Sequence, residues 1–138
     1  GDWPAFPDTV AALEALGTRH ELAILSNVDD ALFAESAKRL RTDFAAVITA
    51  QQVGSYKPNP RNFARLLAQL DRPREQILHV AQSLFHDIAP ARAAGLTTVW
   101  VNRRHDRPGF GATPPETATP DLEVPDLATL AQLIEAAR

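Results

Sequence analysis

Apolar residues follow two textures along this chain: short unbroken blocks, and longer stretches in which they recur every three or four positions. The block Leu22-Ala23-Ile24-Leu25 and the one within "ILHVAQS" are too continuous for strands wet on one face, and predict strands covered on both faces of a parallel sheet. "AAVIT" predicts a short strand, and "TTVWVN" a strongly β-branched one. The periodic stretches predict helices. "DTVAALEALG" places Val10, Leu13 and Leu16 on one face and stops at Gly17. Asp29 or Asp30 can cap a helix through about Leu40, with Leu32, Phe33 and Ala37 inward. Asn59 followed by Pro60 is a cap and first-turn proline for "PRNFARLLAQL". "LFHDIAPARAAG" predicts a turn and a helix ending at Gly95, with Pro90 in its first turn or kinking it. "PDLATLAQLIEAAR" closes the chain as a helix capped at Asp126. Between these elements, "GSYKPNPRNF" predicts a loop, and residues 103–120, with four of the eleven prolines, an irregular surface segment.

Strands that alternate with helices imply right-handed crossovers, and therefore an α/β, doubly wound, Rossmann-like parallel sheet in a three-layer αβα arrangement. The 138 residues are the usual length of one domain. In open parallel sheets, ligands bind at the carboxyl ends of the strands, where helix N-termini present free N–H groups to anions. Polar residues that end strands therefore become the candidates for chemistry.

Composition narrows the partners. With a net charge of −3, 14 basic residues and no basic cluster longer than Arg103-Arg104, a nucleic-acid backbone is not an expected partner. The absence of cysteine excludes disulfides, thiolate zinc sites and a cysteine nucleophile, and fits a reducing, cytoplasmic setting. No apolar run reaches the length of a membrane span, and "GDWPAFPD" lacks the basic start and apolar core of a signal peptide.

Three positions stand out. Ser26, followed by Asn27, ends the first strand, where a hydroxyl and backbone N–H groups can cap a helix or hold an oxyanion. Lys57 is one of two lysines against twelve arginines, so a compact point charge in "GSYKPNP" is either a solvated loop residue or a partner for an anion. Asp87, a few residues beyond the strand in "ILHVAQS", either caps a helix or serves a site. His79 and His86 lie nearby, yet no third ligand has metal-binding spacing. His20 and His105 read as surface residues. Ser26, Lys57 and Asp87 all fall at carboxyl ends of predicted parallel strands, which places them around one crevice.

Taken together, these motifs resemble the haloacid dehalogenase-like hydrolases over nearly all 138 residues, from just after the cap module to the C-terminus. "LAILSN" is similar to the family's second motif, with Ser26 as the hydroxyl. Lys57 in "GSYKPNP" is similar to its third, the lysine that steadies a nucleophile's charge. "HVAQSLFHDIAPARAAGLTTVWVNR" is similar to its fourth, with Asp87 as the acidic residue. "SNVDD" and "VWVNRR" look closest to the 2-haloacid dehalogenase branch. The resemblance implies Ser26, Lys57 and Asp87 as catalytic residues, Asn27 and Ser83 as binding residues, and a small anionic substrate.

Two departures qualify what the resemblance implies. Gln82 stands where phosphatase members carry an acidic residue, leaving Asp87 as the only carboxylate for a magnesium ion; a cofactor-free dehalogenase is expected, with a magnesium-dependent phosphatase as the alternative. The aspartate nucleophile that ends the family's first strand has no counterpart, because Asp8 precedes a helix and no apolar strand leads into it. That missing strand would be the central one, between the strands bearing Ser26 and Ser83. The chain is thus expected to be the C-terminal portion of a core domain and inactive alone, with an upstream segment or a second chain supplying the strand. Direct pairing of strands 21–26 and 77–82, or a nucleophile-less binding protein, are the other ways to accommodate the gap.

Overall fold

The computed structural model describes residues 8–40, 42–103 and 116–137. It has mixed α/β architecture with parallel sheets, and the chain gathers into two compact units, Gly1–Gly54 with Leu127–Arg138, and Ser55–Asp126.

The first unit holds α1 (Thr9–Gly17), β1 (Ala23–Ser26), α2 (Asp30–Leu40), β2 (Ala46–Thr49), α3 (Ala50–Val53) and α6 (Leu127–Ala136). β1 and β2 pair in parallel, from Ala23 opposite Ala46 to Ser26 opposite Thr49. Asp29 caps α2, its Oδ1 accepting the Leu32 N–H at 2.7 Å. Asp8, at the start of α1, spends its carboxylate on α6: Oδ2 accepts the Leu127 N–H at 2.9 Å. That bond ties the two ends of the chain in one unit, where α1 packs on α6. Phe33, Ile48 and Leu130 are buried here, and Phe33 meets Phe44 edge-on at 6.1 Å. Leu32, expected to face inward beside Phe33, is instead 45% exposed. With only Phe33 fully inward, the buried stripe of α2 is narrower than its sequence suggests.

The second unit holds α4 (Pro60–Leu70), β3 (Leu78–Ala81), α5 (Ala89–Ala93), β4 (Thr97–Val101) and β5 (Leu122–Val124), with a 3₁₀ turn at Arg74–Gln76 and a π-helical turn at Leu84–Ile88. Its sheet runs β3-β4-β5, all parallel. Asn59 and Pro60 start α4 as expected, the Asn59 side chain accepting the Arg61 N–H at 2.9 Å. Strand β5 was not foreseen from "DLEV". Its approach is fixed by Asp121, whose Oδ2 accepts the Thr98 N–H at 2.8 Å and whose Oδ1 accepts from Arg92 at 3.0 Å. The foreseen irregular segment lies largely outside the described residues, since positions 104–115 are not among them. No helix among the described residues is long and apolar enough to cross a membrane.

Burial differs from expectation in one telling respect. β2 and β4 are largely buried, whereas β1 and β3, whose unbroken apolar sequences predict covering on both faces, are only half-buried and begin on exposed residues. Among the described strands, β1 has one strand partner, β2, and β3 has one, β4.

Candidate active site

The chain leaves α3 through Gly54, the last residue of the first unit's N-terminal stretch, whose φ of +78° is open to glycine without strain. The next residue is anchored at once. Asn62, fully buried on α4, donates from Nδ2 to the Ser55 carbonyl at 2.9 Å, and its Oδ1 accepts the Ser55 hydroxyl. These two bonds brace the start of the loop that carries Lys57. Tyr56 points outward, 68% exposed, while Lys57 turns inward and is followed by a cis peptide bond to Pro58. Asn59 then begins the next helix.

Asp87 is brought to the same place by the turn after β3. Ser83 caps that turn, its Oγ accepting the His86 N–H at 3.0 Å and lying 3.0 Å from His86 Nδ1. The Asp87 and Ile88 N–H groups both reach the Ser83 carbonyl, at 3.2 and 3.1 Å, so the first turn is widened to the π form before α5 resumes regular winding. Widened turns of this kind re-aim side chains. Here Asp87 is buried, and its Oδ1 lies 2.6 Å from Lys57 Nζ. The same oxygen lies 2.9 Å from Nε2 of His79, a β3 residue whose ring packs edge-on against Phe63 at 5.2 Å.

The electrostatics follow from these contacts. Burial is the largest influence on the Asp87 carboxyl and pushes its pKa up, but the His79 hydrogen bond and the Lys57 charge together outweigh it and hold the group below the ordinary carboxylate value. The outcome is an ionised carboxylate fixing a nearly buried ammonium, a preorganised positive charge of the sort that can stabilise a neighbouring anion.

Ser26 and Asn27 stand in the first unit, at the carboxyl end of β1. Ser26 Oγ accepts the Val28 N–H at 3.3 Å and so begins the turn into α2. Beside it Thr49, at the end of β2, caps α3 through the Gln52 N–H and donates to Asp30 Oδ1 at 2.8 Å; Gln52 Nε2 donates to the same oxygen at 2.9 Å. Those two bonds hold Asp30 below its ordinary pKa. The turn after β1 is thereby locked to the end of β2.

Sequence reading paired Lys57 with Asp87, and the structure joins them directly. It missed two supporting residues. His79 drew notice only as a metal ligand, although a histidine within an apolar strand needs some buried polar partner. Asn62 went unremarked inside a helix pattern, yet an amide on the inward face carries the same signal. Ser83 is buried and engaged with His86, and Gln82 is exposed, with its backbone oxygen accepting Trp100 Nε1–H at 2.9 Å.

Asp87 is the carboxylate that the described residues would offer a divalent cation here. Asp87 Oδ1 already accepts from Lys57 and His79, so only Oδ2 remains, beside an ammonium that would repel the ion. No group of three or more His, Cys, Asp or Glu among the described residues could hold a metal ion.

Comparison with known proteins gives this arrangement its context. The haloacid dehalogenase-like hydrolase family matches residues 1–95. The chain is 31% identical over 131 residues to the pyrimidine 5'-nucleotidase YjjG of Escherichia coli (strain K12), covering 93% of this chain and 56% of that protein. It is 32% identical over 136 residues to the (S)-2-haloacid dehalogenase of Pseudomonas sp. (strain YL), covering 95% of this chain and 54% of that protein. Among solved structures, the L-2-haloacid dehalogenase PA0810 superposes with a TM-score of 0.79 at 29% identity, covering 95% of this chain and 56% of that one. The chain spans about half the length of the curated relatives it matches. A parallel α/β architecture, a lysine fixed by the aspartate of the following strand's turn, and a family match over most of the sequence agree: the chain belongs to the haloacid dehalogenase-like hydrolases.

Proposed function

We propose that this chain forms the C-terminal portion of the core of a hydrolase of haloacid dehalogenase type, acting on a small anionic organic substrate through an aspartyl ester. The nucleophilic aspartate lies outside these 138 residues, at the end of a strand supplied by an upstream segment or a second chain. The single observation that carries this reading is the Lys57–Asp87 pair: an ammonium held almost out of solvent by a carboxylate serves to offset a second negative charge close by. Strands β1 and β3, each only half-buried despite an unbroken apolar sequence, support a core that is completed by further residues.

In this scheme the external aspartate attacks the substrate carbon, a carbon–oxygen bond forms, and halide leaves with the electrons of the broken bond. Water then adds to the ester carbonyl, the acyl–oxygen bond breaks, and the hydroxy acid and a proton are released. Lys57 keeps the nucleophile ionised and close, Asp87 aims Lys57, Ser26 and the Asn27 amide hold the substrate anion, and Ser83 is a further binding residue. The substrate, with no nucleic acid or membrane involved, is met in the cytoplasm, consistent with a cysteine-free chain.

A second reading, a magnesium-dependent phosphatase, draws on the nucleotidase relative. Gln82 and the committed Asp87 Oδ1 weigh against it. The discriminating experiment joins the natural upstream coding segment to this chain and measures halide release from 2-chloropropionate and phosphate release from p-nitrophenyl phosphate. Halide release lost when the strand-end aspartate becomes alanine is expected. Phosphate release alone would transfer the assignment to the phosphatase, and turnover of neither, with no upstream aspartate, to a nucleophile-less binding protein. Robust turnover by the 138 residues alone, abolished by Lys57→Ala, would overturn the external nucleophile.

A further inference from the structure

Asp87 Oδ1 accepts from two side chains, and hydrolase chemistry as outlined uses only one of them. The other, His79, sits eight residues earlier on β3 between Leu78 and Val80, with a side chain 11% exposed. Its ring is held edge-on by Phe63, itself buried at the first turns of α4. An imidazole so nearly withdrawn from water carries a desolvation cost that leucine or valine at the same strand position would not incur. The contact made in return is a 2.9 Å approach of Nε2 to the carboxylate oxygen that also holds Lys57. A bare Nε2 would set its lone pair against those of the carboxylate, so Nε2 must carry the proton and donate.

We propose that His79 is a positioning residue: its Nε2–H fixes the carboxylate of Asp87, and through it the ammonium of Lys57. The geometry explains why one partner is insufficient. A contact with one flexible four-carbon side chain leaves the Asp87 carboxylate rotation about its last bond. A second donor to the same oxygen, mounted on a strand and packed against Phe63, restricts that rotation and with it the direction in which the carboxylate holds Lys57. The π-helical turn supplies the third constraint by holding the Asp87 backbone to the Ser83 carbonyl. His79, Asp87 and Lys57 thus form a directed chain from the rigid sheet to the flexible lysine, in keeping with the rule that catalytic groups are held by neighbours whose own side chains are locked.

The catalytic meaning of this chain rests on the hydrolase reading, but the linkage itself can be observed without turnover. In ¹⁵N-labelled full chain, long-range ¹H–¹⁵N correlation is expected to show His79 Nε2 protonated and a Lys57 Nζ ammonium cross-peak kept by slow exchange. His79→Leu is expected to lose the Lys57 cross-peak while the backbone amide spectrum stays dispersed. His79→Gln, which returns an N–H donor at the ε position, is expected to retain it. An unprotonated Nε2 in the unmodified chain would overturn the inference, as would a Lys57 signal unchanged in His79→Leu. Should the leucine variant fail to fold, the protonation state and the glutamine variant decide: loss of the Lys57 signal in folded His79→Gln counts against the linkage. Absence of hydrolase activity in the assembled protein would leave these signals untouched, so the two readings fail separately.

Discussion

Lys57 and Asp87 are thirty residues apart in sequence and 2.6 Å apart in space, with side chains 10% and 8% exposed. A pair hidden to this degree is not a surface ion pair worth a fraction of a kcal/mol. Its members depend on each other, because removing one strands the other's charge away from water.

Lys57→Met is therefore expected to destabilise the chain by about 3 kcal/mol, the order found when one partner of a buried pair is removed. The double variant Lys57→Met with Asp87→Leu should recover a large part of that loss, since no charge is then left unpaired. Urea denaturation of the three proteins checks both statements. Equal stability of the single and double variants would mean that His79 alone satisfies the carboxylate.

Asn62→Leu keeps the branched heavy-atom frame of a fully buried side chain, with bulkier methyl ends, but removes the donor to the Ser55 carbonyl and the acceptor for its hydroxyl. Taking the donor from the part-buried Ser55 carbonyl costs about 1 kcal/mol, and that cost falls on the loop leading to Lys57. Faster amide hydrogen exchange at Ser55 and Lys57, with the α4 amides still protected, is the expected result. Uniform acceleration along α4 would instead identify Asn62 as a core residue with no local task.

Much of the fold was readable because the relevant signals are local. Asn59-Pro60, Asp29 and the β-branched run at 97–101 each act within a few residues, and each element formed where its sequence placed it. Lys57 and Asp87 were found for a different reason, since both follow strand or helix ends that a parallel sheet gathers on one side. What stayed hidden depends on distant partners. The roles of His79 and Asn62 follow from which buried polar atoms meet them, and β5 is a three-residue strand fixed by Asp121 rather than by its own pattern. Leu32 and the half-buried strands β1 and β3 are the instructive cases: their sequences ask for more cover than the described residues provide.

Acid should weaken the second unit through Asp87. An aspartate in the unfolded chain titrates near 3.8, and the folded carboxyl lies lower. Above 3.8 both states are ionised and the stabilising contribution is complete. As pH falls through that value the unfolded chain takes up the proton first, stability declines, and the contribution is gone once pH passes the folded value. Asp121, lowered chiefly by the Thr98 N–H and then by Arg92, adds a loss of the same sign. Asp87→Asn is expected to be less stable at pH 7 but to lose less between pH 5 and 2, as read from thermal midpoints across that range. An unchanged acid slope would place the pH dependence elsewhere.

Metal dependence offers the sharpest division between the two hydrolase chemistries. Magnesium demands near-octahedral oxygen ligation and is held in proteins by one or two carboxylates together with waters or phosphate oxygens. Here Gln82 contributes no carboxylate, and Asp87 Oδ1 is already bound to the Lys57 ammonium and the His79 imidazole. An ion at Oδ2 would sit a few ångströms from a positive charge that the fold has fixed in place, and that repulsion opposes binding. In the assembled enzyme, dialysis against EDTA is therefore expected to leave halide release unchanged, and added magnesium should not raise the thermal midpoint of the wild-type protein. Gln82→Asp restores a second carboxylate on the turn after β3, and magnesium is expected to raise that variant's midpoint with concentration, as a ligand selective for the folded state must. Turnover abolished by EDTA in the unmodified protein and restored by magnesium alone would show that the upstream segment completes a metal site. The magnesium-dependent phosphatase would then be the correct assignment.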